Sequence, residues 1–146
     1  MAFQTKFTLI VDHWDRDSVK QKPKVYTKTY TPLLECDRKT FDLAASTTIV
    51  IWDPVNVTGD PLTAFSYLLI ESSALIYLEL TANEGDANEE LNSLTVPADG
   101  WLLLQSNVSY YSFTTDVFAG TLDVFDKLRI RSGAAAAKVH VEIGST

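Results

Sequence analysis

LRIRSGAAAAKVHVEI, residues 128–143, is the stretch on which the reading of the fold turns. Leu128 and Ile130 alternate with Arg129 and Arg131, and after a small-residue break Val139, Val141 and Ile143 alternate with Lys138, His140 and Glu142. A period of two sends successive side chains to opposite sides of an extended backbone, so each half reads as a strand with one apolar and one wet face. Ser132-Gly133 separates the halves, and the pattern predicts a β-hairpin. In such a hairpin Arg129 or Arg131 lies opposite Glu142, a pair contributing up to about 1 kcal/mol. A slip of one residue would turn every valine outward, which makes the register firm.

The same alternation recurs outward from this unit. Strands are predicted over Phe3–Val11, Lys24–Thr31, Thr47–Trp52, Phe65–Ile70, Leu75–Leu80, Trp101–Gln105, Val108–Phe113, Lys127–Arg131 and Ala137–Ile143, separated by breakers such as Asp53-Pro54, Pro97-Ala98-Asp99-Gly100 and Ser132-Gly133. One rival is a helix opening at Asp60-Pro61 and running through LTAFSYLLIESSALIYLEL. Ser72-Ser73 interrupts it, and Ile76, Leu78 and Leu80 alternate with Tyr77 and Glu79, so two strands meeting at residues 71–74 are the better reading. The expectation is an all-β chain: a single antiparallel β-sandwich, jelly-roll or Ig-like, of about eight or nine strands with an extended basic N-terminal segment. The 146 residues suit one domain, with residues 1–38 supplying an N-terminal strand and an exposed basic arm and residues 39–146 the sandwich body.

Composition narrows the function classes. Hydrophobic residues at 46% and charged residues at 21% exclude a wholly disordered chain. No apolar run approaches the roughly 18 residues of a membrane helix, so no membrane partner is expected. Cys36 is the only cysteine, which rules out an internal disulfide and a thiolate zinc cluster. Lys6 and the threonines near the N-terminus interrupt the apolar stretch of about 7–15 residues that a signal peptide needs, so synthesis in a cytoplasm is expected.

The net charge of −7 conceals an ordered distribution. From Phe41 to Asp126 there is no lysine or arginine, while that stretch holds thirteen acidic residues. Residues 1–40 hold eight basic against five acidic residues, and residues 127–146 hold four against one. Two causes fit: the terminal strands pair or pack together on an acidic body, or the basic end of one copy meets the acidic body of its neighbour. Arg16, Lys20, Lys22, Lys24 and Lys28 are the candidate partner-binding residues. Nucleic acid is not expected as the partner, because the rest of the chain would repel phosphate and no binding module is recognisable.

Motifs with chemistry are sparse. In DHWDRD, residues 12–17, a strand would bring His13, Asp15 and Asp17 to one side, but the glycine turn of a calcium loop and the further His or Cys of a zinc site are absent. A solvated strand end anchored by Trp14 is the simpler reading. Glu84–Glu90 reads as an acidic loop without calcium-loop spacing, and Asp53, Asp60 and Asp99 read as turn formers beside Pro or Gly. No G-x-S-x-G, H-E-x-x-H, P-loop or G-x-G-x-x-G occurs, and only His13 and His140 are available as histidine bases. No catalytic residue, metal or cofactor is therefore expected. Trp14, Tyr110 and Tyr111 are candidates for a glycan platform, whereas Trp52 and Trp101, at the ends of apolar strands, read as core.

Three segments together carry a family likeness: YLLIESSALIYLEL at residues 67–80, LTVPADGWLLLQSN at 94–107 and DKLRIRSGAAAAKVHVEIG at 126–144. A strand pair, a VPA-G turn into an apolar strand and a closing hairpin resemble the small β-sandwich virion proteins of tailed bacteriophages. The likeness covers residues 65–143 and transfers no functional residue; the arm at 12–32 has no counterpart in it. It implies a homo-oligomeric structural protein of the virion, binding capsid or tail proteins as a decoration or cement, at the head–tail junction or on a fibre. A carbohydrate-binding, lectin-like or host-recognition module is the alternative.

Overall fold

A computed structural model describes residues 3–11, 23–33, 35–54, 65–82, 90–104 and 125–145. These form ten strands and no helix. They are β1 (Phe3–Val11), β2 (Lys24–Leu33), β3 (Glu35–Leu43), β4 (Thr48–Trp52), β5 (Tyr67–Ser72), β6 (Ile76–Ala82), β7 (Glu90–Val96), β8 (Gly100–Leu104), β9 (Phe125–Ser132) and β10 (Ala137–Ser145). Two four-stranded antiparallel sheets, ordered β3-β10-β5-β8 and β4-β9-β6-β7, pack as a sandwich, and β1 and β2 form a separate antiparallel hairpin. The first four body strands pair with the last four in reverse order: β3 with β10, β4 with β9, β5 with β8 and β6 with β7. The body is thus one long double ribbon rolled up, closed by the β10–β5 and β9–β6 ladders.

Alternation decides what faces the core. Ile76, Leu78 and Leu80 of β6 and Leu128 and Ile130 of β9 line one wall, and Leu68 and Ile70 of β5 with Val139, Val141 and Ile143 of β10 line the other; all are buried. Burying a side chain of this kind is worth about 1.5–3 kcal/mol each. Trp52 closes one end of this core edge-to-face with Phe65, ring centroids 5.4 Å apart.

The hairpin predicted over residues 128–143 is not formed. β9 and β10 are correctly read as strands, but the turn between them crosses from one sheet to the other, so their apolar faces meet across the core instead of lying in one sheet. Arg129 accordingly pairs with Glu79 on neighbouring β6, Nε to Oε1 at 2.6 Å, and Glu142 pairs with Arg38 on β3 at 2.7 Å. Nor do the terminal strands pair with each other: β1 pairs with β2, while β10 lies between β3 and β5.

Small polar residues make the crossover corners. Ser46 N–H donates to Gly133 O at 2.8 Å and Gly133 N–H to Leu75 O at 2.9 Å, tying together the β3–β4, β9–β10 and β5–β6 corners. Buried Ser132 accepts from Thr47 N–H at 2.9 Å and donates to Ala44 O at 2.5 Å, satisfying backbone groups that would otherwise be stranded. Ser46 and Asp99 take positive φ, 56° and 53°, at the tips of their turns. Asp53 is more than a turn former: it is buried, with its carboxylate 3.4 Å from Lys127 Nζ.

Candidate docking surface

The hairpin has a docked half and an open half. Directly opposed residues share a face of the ribbon, so Thr5, Phe7, Tyr30 and Lys28 look the same way. That face meets the outer side of the β3-β10-β5-β8 sheet, where Phe7, Tyr30 and Tyr67 form an aromatic triad with centroids 4.9–5.9 Å apart, and Leu103 packs against it. Tyr67 is fully buried. Its ring lies against Gly144 of β10 so closely that any Cβ there would overlap the ring carbons, so glycine is required at that crossing.

The Tyr67 hydroxyl is the polar centre of this joint. It donates to Glu142 Oε1 at 2.6 Å and lies 3.1 Å from Thr5 Oγ1 of β1 and 3.4 Å from Cys36 Sγ of β3. Burial above all, then the bonds with Cys36 and Glu142, holds the phenol well above its ordinary titration range. The hydrogen bond from Arg38 to Glu142 likewise raises the guanidinium. Lys28 places its ammonium 5.5 Å from the Tyr30 ring centre, within cation–π range.

Beyond Phe7 the ribbon is uncovered. Leu9, Ile10, Val25 and Tyr26 are 48–60% exposed. Leu9 and Tyr26 point to one face and the directly opposed Ile10 and Val25 to the other, so the apolar surface is two-sided. The hairpin's described residues carry Lys6, Lys24 and Lys28 and no acid, whereas the described body carries ten acidic and six basic residues. Among the described residues neither edge of the hairpin is paired to a further strand.

A second uncovered feature lies on the far half of the sheet that the hairpin partly covers. Thr40, His140, Glu71 and Trp101 stand in one cross-strand row over β3, β10, β5 and β8. Trp101 is 58% exposed, which corrects its assignment to the core: Leu102 and Leu104 take the inward positions of β8 and turn Trp101 out. Trp52 is buried as expected. Thr40 Oγ1 fixes the His140 ring at Nδ1, 2.8 Å away. Open hollows of about 260 and 360 Å³ flank the row and share Glu71 and His140.

Of the residues singled out from the sequence, Lys24 and Lys28 lie exposed on β2, on the face that carries Tyr26 and Tyr30. Arg16, Lys20 and Lys22, the platform candidates Trp14, Tyr110 and Tyr111, and the acidic stretches 12–17 and 84–89 lie outside the described residues, while Glu90 opens β7. Among the described residues no three His, Cys, Asp or Glu side chains are grouped to hold a metal. The four exposed apolar residues of the hairpin were missed, although Ile10 and the adjacent Val25-Tyr26 break strict alternation, which is the signal of a strand apolar on both faces. The chain matches no protein-family model and no curated protein.

Proposed function

We propose that this chain is a non-enzymatic structural protein of a virion, a capsid decoration or cement protein or one associated with the head–tail junction, that binds a repeated protein surface. The observation that carries this is the hairpin: a basic two-stranded arm with apolar residues on both faces that its own body leaves uncovered. A patch of that kind on a soluble protein marks a contact with another macromolecule. The reverse-order pairing of the eight body strands supports a jelly roll in particular, an architecture used by viral capsid proteins and by lectins. Many copies on a lattice make modest single contacts sufficient. The test is co-sedimentation with undecorated capsids of the encoding phage at low and high salt. Wild-type protein is expected to pellet with them, less at high salt, and a Lys24→Glu/Lys28→Glu variant is expected to stay in the supernatant. No pelleting of the wild type under either condition would refute the proposal.

The exposed Trp101 row favours one second reading, a carbohydrate-binding module, because an open aromatic beside carboxylate, imidazole and hydroxyl groups suits a sugar ring. Glycan-array binding that disappears in Trp101→Ala would support that reading.

A further inference from the structure

We infer that copies of this chain join head to tail, the open half of one hairpin seating on the Trp101–Glu71–His140 row of a second copy. This rests on the assembly reading above and names the partner of the arm. The two surfaces are complementary within one chain. The open half offers Leu9, Ile10, Val25 and Tyr26 with Lys24 beside them, and the hairpin's described residues carry Lys6, Lys24 and Lys28 and no acid. The row offers a half-exposed indole and the carboxylate of Glu71.

The charges on the acceptor face sort themselves accordingly. Arg38 is paired with Glu142 at 2.7 Å and Lys138 with Asp42 at 3.7 Å, so the arginine and lysine on the described part of this face are engaged. Glu71 has no ion pair among the described residues, and Asp99 stands beside it at the rim of the larger hollow. A lysine arriving from the arm would meet a carboxylate that no ion pair among the described residues holds.

Continuity gives the second argument. The docked half of each hairpin already lies on this same sheet face, over Tyr67 and Leu103. A neighbour's arm over Trp101 would extend that outer layer across the remaining strands. Four strands at their usual spacing make the row about 14 Å long, wide enough for a two-stranded ribbon. Because donor and acceptor patches differ, the contact is heterologous and propagates into a ring or a filament.

The experiment mixes two disabled variants and reads mass by light scattering after gel filtration, with circular dichroism and urea midpoints confirming that both fold. Ile10→Asp/Tyr26→Asp removes the arm, and Trp101→Ala removes the acceptor; Glu71→Lys, at an exposed position, serves as acceptor variant should Trp101→Ala misfold. Wild type is expected to exceed the 16.2 kDa monomer, and increasingly so with concentration. Each variant alone is expected at monomer mass. The mixture is expected at about twice that mass, since one intact arm and one intact acceptor remain. An acceptor variant that keeps the wild-type mass, a mixture that stays monomeric, or a monomeric wild type whose Trp101 binds glycans would overturn the inference. A wild type that is monomeric alone yet pellets with capsids overturns this inference and leaves the proposed function standing. Head-to-tail oligomers that ignore capsids do the reverse.

Discussion

The sandwich body and the hairpin are made from the same strand-forming residues, yet they treat apolar surface in opposite ways. In the body seventeen of the described residues are buried in one continuous cluster fed by both sheets. Among the hairpin's described side chains only Tyr30 is buried, against Tyr67, and the four large apolar residues beyond it face outward. An isolated two-stranded ribbon is marginal in water. The body is thus a structure that completes itself, and the hairpin leaves much of its apolar surface uncovered.

The largest test of that contrast is a cavity in the body. Leu78 is fully buried on β6, and Leu78→Ala removes its transfer free energy and leaves a void, lowering stability by about 2–5 kcal/mol in urea unfolding. Hydrogen exchange should show β3 to β10 losing protection together, as expected of one cooperative core. Loss confined to the hairpin would show that the body is not one cooperative unit.

The joint between the two regions is the next largest. Tyr67→Phe keeps the ring against Gly144 but deletes the hydroxyl that Glu142, Thr5 and Cys36 share, at an expected cost of about 1–3 kcal/mol. The pH dependence follows from the raised phenol. The unfolded chain releases the Tyr67 proton near pH 10, roughly its ordinary value, while the folded protein still holds it. Stability from this group is therefore complete below about pH 10 and falls as pH climbs toward the folded value. The phenylalanine variant should show a shallower alkaline decline in urea midpoint than wild type, and equal slopes would contradict the geometry of the joint.

How much of this could be read from residues alone follows from the range of the interactions. Strand against helix was legible because alternation is local: residues 67–80 show it, and the serine break marks the crossover corner. Pairing was not, because it is decided between distant residues. Arg129 finds Glu79 fifty positions away, and nothing in LRIRSGAAAAKVHVEI distinguishes a turn within a sheet from a turn between sheets. β3 was missed because it is an edge strand of ECDRKTFDL composition, in which only Phe41 and Leu43 feed the core. β7 was missed because its glutamate was read with the preceding acidic stretch. Trp101 was misassigned because WLLL has no alternation to show which residues turn inward, and only pairing with β5 reveals it. The Trp101 row was invisible for the same reason, since it spans four strands including the one not foreseen.

The smallest expected effect is the most discriminating. If the open half of the hairpin contributes nothing to the fold of its own chain, Ile10→Asp should move the unfolding free energy of the dilute monomer by no more than about 0.5 kcal/mol. Ile10 is 60% exposed, and its opposed partner Val25 is 58% exposed, so little apolar contact is lost. At high concentration the same substitution should lower the wild-type midpoint to its dilute value, because binding to the folded state raises apparent stability by mass action and an arm carrying a carboxylate no longer binds. A concentration-independent loss of 2 kcal/mol or more, on the order of a core truncation, would instead make Ile10 part of the self-completing half of the molecule.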